Sequence, residues 1–145
     1  DLLGRKVVMD RGAGLALLGA TMQRTIVRAA DDAVLAALAE QLGTAVRQIA
    51  TATQLAWSTG QPEETLANAT PYLQAFGHVV LAWIWLDVAL AAQARLAAGD
   101  DEPPQRGRLQ ACRYFFDYEL PKIDAWLRVV ATRNPTCREM RDEWF

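Results

Sequence analysis

The sequence predicts an all-α fold, an up-down antiparallel four-helix bundle. Three observations carry this prediction. Alanine is abundant, and apolar residues make up 52% of the 145 residues, a composition that favours helices. Apolar residues recur three and four positions apart over long stretches, the spacing of one helical face. The breaks between these stretches are short, and short connections favour antiparallel neighbours.

The first predicted helix runs from about Leu2 to about Ala29. Gly12 and Gly14 lie inside it and weaken it, each by about 1 kcal/mol relative to alanine. Their missing side chains would let a neighbouring helix approach closely. The apolar row of this helix is Leu3, Val7, Gly14, Leu18 and Met22.

The second predicted helix opens at Asp31 or Asp32, because either carboxylate can cap exposed backbone N–H groups. Gly60 is placed to end it in a left-handed conformation. Pro62 then suits the first turn of the next segment. The core-facing row is predicted to be Leu35, Leu38, Leu42, Ala45, Ile49, Ala52 and Ala56, with Trp57 beside it.

The third predicted helix starts at Pro71, after a kink or short break at Thr70, and ends before the loop 99–104. Residues 75–92 are strongly apolar, but Asp87 lies among them. A carboxylate there would be costly in lipid, so the prediction is a buried helix and no membrane span. Its core-facing row is predicted to be Leu73, Phe76, Val80, Trp83, Leu90, Ala94 and Ala97, with Asp87 in the same row.

The fourth predicted helix is bent by Pro121 and ends at Asn134-Pro135, before a short charged tail. No repeat or low-complexity tract divides the chain, so residues 1–145 are predicted to form a single helical domain. The core-facing row of this last helix is predicted to be Leu109, Cys112, Phe116, Leu120, Ile123, Leu127 and Val130.

Composition excludes several function classes. The net charge is −2, with 22% charged residues intermixed, whereas a nucleic-acid surface needs a basic stripe. Cys112 and Cys137 are predicted to be free thiols in a reducing compartment, which with the absence of a signal peptide predicts a cytoplasmic protein. The chain lacks an initiator methionine, so we expect it to continue upstream of Asp1.

The sequence offers little chemistry, and we predict no catalytic, cofactor-binding or metal-binding residue. A di-iron bundle site needs two Glu-x-x-His motifs, but His78 is the only histidine. No nucleophile elbow or glycine-rich phosphate loop is present. Asp87 is predicted to form a buried ion pair. Its candidate partners are Arg24, Arg28, Arg108 and Arg113; a general base, or a helix rotated to expose Asp87, are the alternatives.

The aromatic residues instead predict docking. Trp83 and Trp85 point about 200° apart on a helix, so both cannot face one core. The same argument applies to Phe115 and Phe116, and exposed aromatic surface is typical of interfaces. The interface candidates are Trp83, Trp85, Phe115, Phe116, Trp144 and Phe145.

Several segments resemble a known flavoenzyme family. Asp1-Leu2-Leu3-Gly4-Arg5-Lys6 before a long helix looks like the stretch after the catalytic loop of bacterial acyl-CoA dehydrogenases. Residues 67–77 (ANATPYLQAFG), 113–116 (RYFF) and 119–121 (ELP) are similar to the extra C-terminal domain of one branch. That branch contains the methylmercaptopropionyl-CoA and phenylacyl-CoA dehydrogenase-like enzymes. The resemblance covers essentially the whole chain.

The resemblance implies that a full-length parent oxidises acyl-CoA to 2-enoyl-CoA, with a glutamate as base and FAD as hydride acceptor. The segment carrying that base and the flavin-binding domain would lie outside this chain, so the fragment is expected to hold no FAD and to be inactive alone. Residues 1–30 would belong to the parent's own helical domain and residues 31–145 to the added helices. The implied partners are the missing N-terminal and central domains, and a second copy in a homo-oligomer.

Two other interpretations remain open. The chain could be a stand-alone helical interaction module without catalysis. Oligomerisation discriminates the two, because a fragment with an orphaned docking face should self-associate or bind hydrophobic dyes. It could also bind a small ligand in a cavity among Trp57, Trp83 and Phe116.

Overall fold

The computed structural model describes residues 1–100 and 102–145, and these residues contain helices and no strand. The predicted all-α class is confirmed. The described residues form six α-helices, not four. They are α1 (Ala13–Ala30), α2 (Ala36–Ala56), α3 (Pro62–Leu66), α4 (Ala69–Ala97), α5 (Pro103–Tyr114) and α6 (Ile123–Ala131).

The beginning of the chain departs from the prediction. Residues Leu2–Lys6 form one wide helical turn, and Met9–Gly12 form a second, separate turn. Asp10, Arg11 and Gly12 have φ values of 50°, 57° and 81°, so three consecutive residues are left-handed. The predicted continuous helix from Leu2 is therefore wrong, and α1 begins only at Ala13.

This break folds the first residues back onto the rest of the domain. The Leu3 carbonyl oxygen accepts a hydrogen bond from Trp57 Nε1 at 3.2 Å, and Gly4 lies against the Leu66 side chain. Gly12 thus serves the turn and not the close approach of a neighbouring helix, since a left-handed residue without Cβ is unstrained.

Helix α2 follows the prediction closely. Asp32 Oδ1 accepts hydrogen bonds from the backbone N–H groups of Val34 and Leu35, at 2.8 and 3.1 Å, so it caps the turn that leads into α2. Gly60 has a φ of 67°, and Pro62 occupies the first position of α3. The whole predicted row from Leu35 to Ala56 is buried.

Helix α4 has the correct extent but the wrong predicted face. Pro71 lies in its first turn and causes no break. The buried row is shifted by one residue from the predicted one, and Leu73 of the predicted row is 57% exposed. The predicted row favoured large side chains, whereas small ones let α1, α2, α5 and α6 all pack on α4. The buried residues are Tyr72, Ala75, Val79, Ala82, Leu86, Ala89 and Ala92.

The fourth predicted helix is divided into α5 and α6. Phe115–Glu119 forms a π-helical turn and Leu120–Lys122 a 3-10 turn, which places the interruption around Pro121 as predicted. Its apolar row is buried as predicted, apart from the partly buried Leu109. Gly99 has a φ of 90° and ends α4, while Asp101 of the predicted loop lies outside the described residues.

Polar contacts fix how α2, α4 and the tail meet. Tyr72 Oη and Thr53 Oγ1 share a buried hydrogen bond of 2.7 Å, and burial raises the pKa of Tyr72 although this bond partly opposes the effect. Asn68 Nδ2 donates to the Asn134 carbonyl oxygen at 2.9 Å. Arg133 donates to the Leu55 carbonyl oxygen at 2.7 Å. The segment after α6 is thus held against the ends of α2 and α4.

Candidate functional site

An apolar pocket opens between α1, α2 and α4. It has a volume of about 320 Å³, and its most buried lining residues are Met22, Ile49 and Val79. The first half of α1 is rich in glycine and alanine, so it leaves space beside α2 and α4 unfilled. The lining residues are Gly12, Leu15, Ala16, Leu18, Gly19, Met22, Val46, Ile49, Ala50, Phe76 and Val79.

This pocket offers hydrophobic contact and no polar chemistry. None of its lining side chains can donate or accept a conventional hydrogen bond or carry a charge. Small-molecule sites usually combine an apolar lining with a few placed polar groups. The pocket therefore lacks the groups that would orient a substrate for reaction.

Trp57, Trp83 and Phe116 do not line a common ligand cavity, contrary to the third interpretation of the sequence. Trp57 Nε1 donates to the Leu3 carbonyl oxygen. Trp83 Nε1 donates to Thr25 Oγ1 at 2.8 Å, and Phe116 is buried in the core. Each ring is held by different neighbours. The apolar pocket described above lies elsewhere, and its signal in the sequence was the cluster of small residues early in α1.

His78 lies where α4 meets the bend between α5 and α6. Its Nδ1 is 3.0 Å from the Gln74 carbonyl oxygen, which can only accept, so Nδ1 carries the hydrogen in this contact. The Nε2 atom faces Glu119 Oε2 at 3.7 Å, and the ring lies edge-on to Trp126 with centroids 4.7 Å apart. Lys122 donates to the same Glu119 oxygen at 2.6 Å, and this bond is the main cause of a lowered pKa of Glu119.

These contacts give His78 a role in joining α4 to the bend. Across residues 1–100 and 102–145, no group of three or more His, Cys, Asp or Glu side chains could hold a metal ion. Cys112 is buried, Cys137 is exposed, and both are free. Burial raises the pKa of the Cys112 thiol to about 11, so it is protonated and unreactive near neutral pH.

Asp87 is not buried, which corrects the prediction of a buried ion pair. It pairs with Arg28 of α1, one of its predicted partners, with an N–O distance of 3.3 Å. The Asp87 side chain is 54% exposed and that of Arg28 is 64% exposed. The cause is the rotation of α4 by one residue, which moves Asp87 from the core to the flank beside α1. Because this carboxylate lies at the surface and pairs with an arginine, it does not form the buried site that the general-base alternative needed.

Four of the six aromatic interface candidates lie in or against the core of the chain. Phe115 and Phe116 are both buried, at 9% and 1% exposure. The π-helical turn at Phe115–Glu119 widens the local repeat, so the ordinary helical angle between these neighbours does not apply. Trp83 and Trp85 are partly buried and pack against the core. The expectation that Phe115 or Phe116 presents an exposed aromatic face is therefore wrong.

Trp144 and Phe145 are the interface candidates that are exposed. Phe145 is 94% exposed and Trp144 is 60% exposed. The guanidinium of Arg141 lies 5.5 Å from the centre of the Trp144 ring, within the range of a cation–π contact. These two residues remain available to meet another molecule or another part of a longer chain.

The outer face of α4 was missed by the sequence prediction. Leu73, Leu81 and Ile84 are 57%, 46% and 46% exposed, although they sit at the middle and start of the most apolar helix. Helix α4 is long and apolar enough to cross a membrane, by length and composition alone. An 18-residue stretch of it has a mean hydropathy of 1.7, and 33% of that stretch is buried. A core helix of a soluble protein can have the same properties. A helix that is apolar all round is normally covered on every side.

One comparison with known proteins gives a match. The family described as Acetyl-CoA dehydrogenase C-terminal like matches residues 16–141, from α1 to the tail. This match covers most of the chain. The chain belongs to this family. No curated protein and no solved structure matches it.

Membership of the acetyl-CoA dehydrogenase C-terminal-like family supports the assignment of this chain as part of an acyl-CoA dehydrogenase. The family also implies that the full-length parent protein uses FAD. A flavin dinucleotide carries a pyrophosphate that needs hydrogen-bond donors, and no side chain lining the apolar pocket supplies one. The fold of this domain thus offers a packed helical body with exposed apolar surface.

Proposed function

We propose that the chain is the C-terminal helical domain of an FAD-dependent acyl-CoA dehydrogenase of the methylmercaptopropionyl-CoA or phenylacyl-CoA dehydrogenase-like branch. The family match over residues 16–141 is the observation that carries this proposal. The complete enzyme would oxidise acyl-CoA to 2-enoyl-CoA in the cytoplasm. Residues 1–30 would belong to its own helical domain, and residues 31–145 would be the added helices.

The long helical segments α1, α2, α4 and α5–α6 would form the up-down antiparallel arrangement. Opposite directions of α2 and α4 are supported by two levels of contact. Thr53 bonds to Tyr72, while the earlier Ile49 lines the pocket together with the later Val79. As the residue number decreases along α2, the number of the residue that it faces on α4 increases, which is the pattern of an antiparallel pair.

The role of this domain in the enzyme would be docking rather than chemistry. Its apolar pocket carries no polar side chain, so the reacting groups would come from the missing N-terminal and central domains. Trp144 and Phe145 are exposed and could pack against those domains. The domain would thereby stabilise the catalytic body or fix the arrangement of a homo-oligomer.

The test is a deletion in the full-length enzyme. We expect the intact enzyme to bind FAD and to reduce it when acyl-CoA is added, which absorbance of the flavin measures. Removing residues 31–145 should lower the melting temperature of the enzyme or change its assembly. A matched control replaces only Trp144 and Phe145 by serine and asks whether the tail accounts for the loss. A shortened enzyme with unchanged stability, assembly and turnover would refute the docking role.

The alternative is a stand-alone interaction module, and the exposed outer face of α4 is the observation that favours it. The same full-length protein separates the two functions. If it binds no FAD and oxidises no acyl-CoA, the dehydrogenase proposal fails and the interaction module becomes the better interpretation.

A further inference from the structure

We propose that the apolar pocket between α1, α2 and α4 is a binding site for a small uncharged apolar molecule, about the size of two fused aromatic rings. The site binds and does no chemistry. This inference is independent of the proposed dehydrogenase function, because one chain forms the pocket from its own three helices. The feature that opens the pocket is Gly19, a residue without a side chain on the core-facing side of α1.

Gly19 lies in the row of α1 that faces α2 and α4. Leu15 is four residues before it and Met22 three residues after it, so the three residues share one face of the helix. Leu15 packs against the core, and Met22 is buried. A Cβ built on Gly19 would meet no atom of another element within 4 Å. One core-facing position of α1 is therefore left open.

The opening is a local gap and not a general separation of α1 from α2. Ile26 lies seven residues after Gly19 and packs against the core. A Cβ built on Gly43 of α2 would lie 4.0 Å from Ile26 Cδ1, which is ordinary van der Waals contact. The second half of α1 thus reaches α2, whereas the first half leaves the pocket beside it.

The walls of the pocket select an uncharged ligand. No lining residue has a polar side chain. Met22, Ile49 and Val79, the most buried lining residues, lie inside helices whose backbone groups bond to one another. A charged ligand would lose its hydration there and gain no hydrogen-bond partner. Phe76 and Met22 favour an aromatic ligand, because a ring and a thioether both make good contacts with another ring.

The volume of the pocket sets the size of the ligand. An apolar cavity of about 150 Å³ holds one benzene molecule. This pocket has a volume of about 320 Å³, so it accommodates about two rings. Such a volume lies at the lower end of the range of small-molecule sites. Naphthalene, which has two fused rings and no charge, is therefore the probe that matches both the size and the lining.

Titration with naphthalene tests the site, and naphthalene-2-sulfonate is the matched ligand with the same rings and one negative charge. We expect naphthalene to shift the methyl resonances of Ile49 and Val79 in NMR spectra of the chain. The sulfonate should bind at least tenfold more weakly, because its charge has no partner in the pocket. The proposal fails if naphthalene causes no shift up to its solubility limit. It also fails if the two ligands bind equally well.

Filling the pocket from within provides the second test. We expect Gly19→Leu to weaken naphthalene binding at least tenfold, because the new side chain would occupy the open space. Gly107→Leu is the matched control, since Gly107 also has no atom within 4 Å of an added Cβ but lies on α5, outside the three helices that form the pocket. This control should bind naphthalene as the unmodified chain does.

A third variant keeps the test decisive if Gly19→Leu does not fold. Ala50 lines the pocket from α2 and is exposed, so Ala50→Leu can narrow the pocket from the other wall without disturbing the core. We expect it also to weaken naphthalene binding. Unchanged binding in both pocket variants would place the ligand elsewhere on the chain and overturn the proposal, as would an equal loss in Gly107→Leu.

Discussion

The inner and outer faces of α4 differ in the size of their apolar side chains. On the inner face, Ala75, Ala82 and Ala89 are fully buried. On the outer face, Leu81 and Ile84 are 46% exposed. The usual arrangement places the large side chains inside, because each buried leucine or isoleucine contributes about 1.5–3 kcal/mol. In α4 the large side chains of the outer face are left half in water.

The difference shows what each face is for. Alanine on the inner face allows close packing, and four other helices contact α4. The few large inner residues, such as Tyr72 and Leu86, fill the remaining space and are fully buried. The outer leucine and isoleucine contribute much less to this core. An exposed apolar surface of this kind is typical of a contact made outside the chain.

The largest predicted effect compares the same substitution on the two faces. We expect Leu86→Ala, at a fully buried position, to lower the free energy of unfolding by about 2–5 kcal/mol, because it removes buried methyl groups and leaves a cavity. Leu81→Ala, on the outer face, should change it by less than about 1 kcal/mol in the dilute monomer. Urea denaturation at low protein concentration measures both. Equal losses for the two variants would break the comparison.

A second prediction tests the burial of the Cys112 thiol in the core beside α4. Cys112 of α5 is fully buried, and burial raises the pKa of its thiol from 9.0 to about 11. The unfolded chain then loses this proton at a lower pH than the folded chain. The contribution of Cys112 to stability is complete below pH 9, and between pH 9 and 11 it falls by about 1.4 kcal/mol per pH unit.

Denaturation at pH 8, 9, 10 and 11 measures this slope. Tyr72, whose pKa is also raised, adds a loss of the same sign above pH 10. We expect Cys112→Ala to remove the part of the slope between pH 9 and 10, whatever its effect at pH 8. Cys137→Ser is the matched control, because that thiol is exposed, and it should keep the slope. A Cys112→Ala variant with the original slope would contradict the buried thiol.

Much of the fold could be predicted from the sequence, because local rules decide it. The buried row of α2 and its Asp32 cap depend on helical spacing and a side-chain acceptor, both visible in the sequence. Gly60, Gly99 and Pro121 likewise mark the ends and the bend through their own backbone preferences. The acyl-CoA dehydrogenase resemblance was confirmed at the level of the family.

The remaining features depend on tertiary contacts. The buried row of α4 was misplaced by one position because both rows have helical spacing, and only the four neighbouring helices decide which row they cover. The left-handed break at Asp10 and Arg11 could not be read from residue preferences, since aspartate adopts this conformation only in a minority of cases and arginine has no preference for it. The apolar pocket depends on how α1, α2 and α4 pack, because it is the space that their side chains leave unfilled.

The smallest predicted effect concerns Gly77, at the outer face of α4. A Cβ built on Gly77 meets no atom within 4 Å, so alanine fits there and removes the flexibility that glycine gives a helix interior. We expect Gly77→Ala to raise the free energy of unfolding of the dilute monomer by about 0.5–1 kcal/mol. Gly60→Ala is the control of opposite sign. Its surroundings are equally open, but its φ of 67° would cost alanine about 1–2 kcal/mol.

Thermal and urea unfolding of both glycine variants would sharpen the comparison of the two faces. A stabilised Gly77→Ala monomer means that the outer face is unpacked within one chain, as the half-exposed leucine and isoleucine indicate. A destabilised one would mean that the added methyl group collides with something in the same chain. The outer face would then be covered already, and its apolar residues would need no second molecule to explain them.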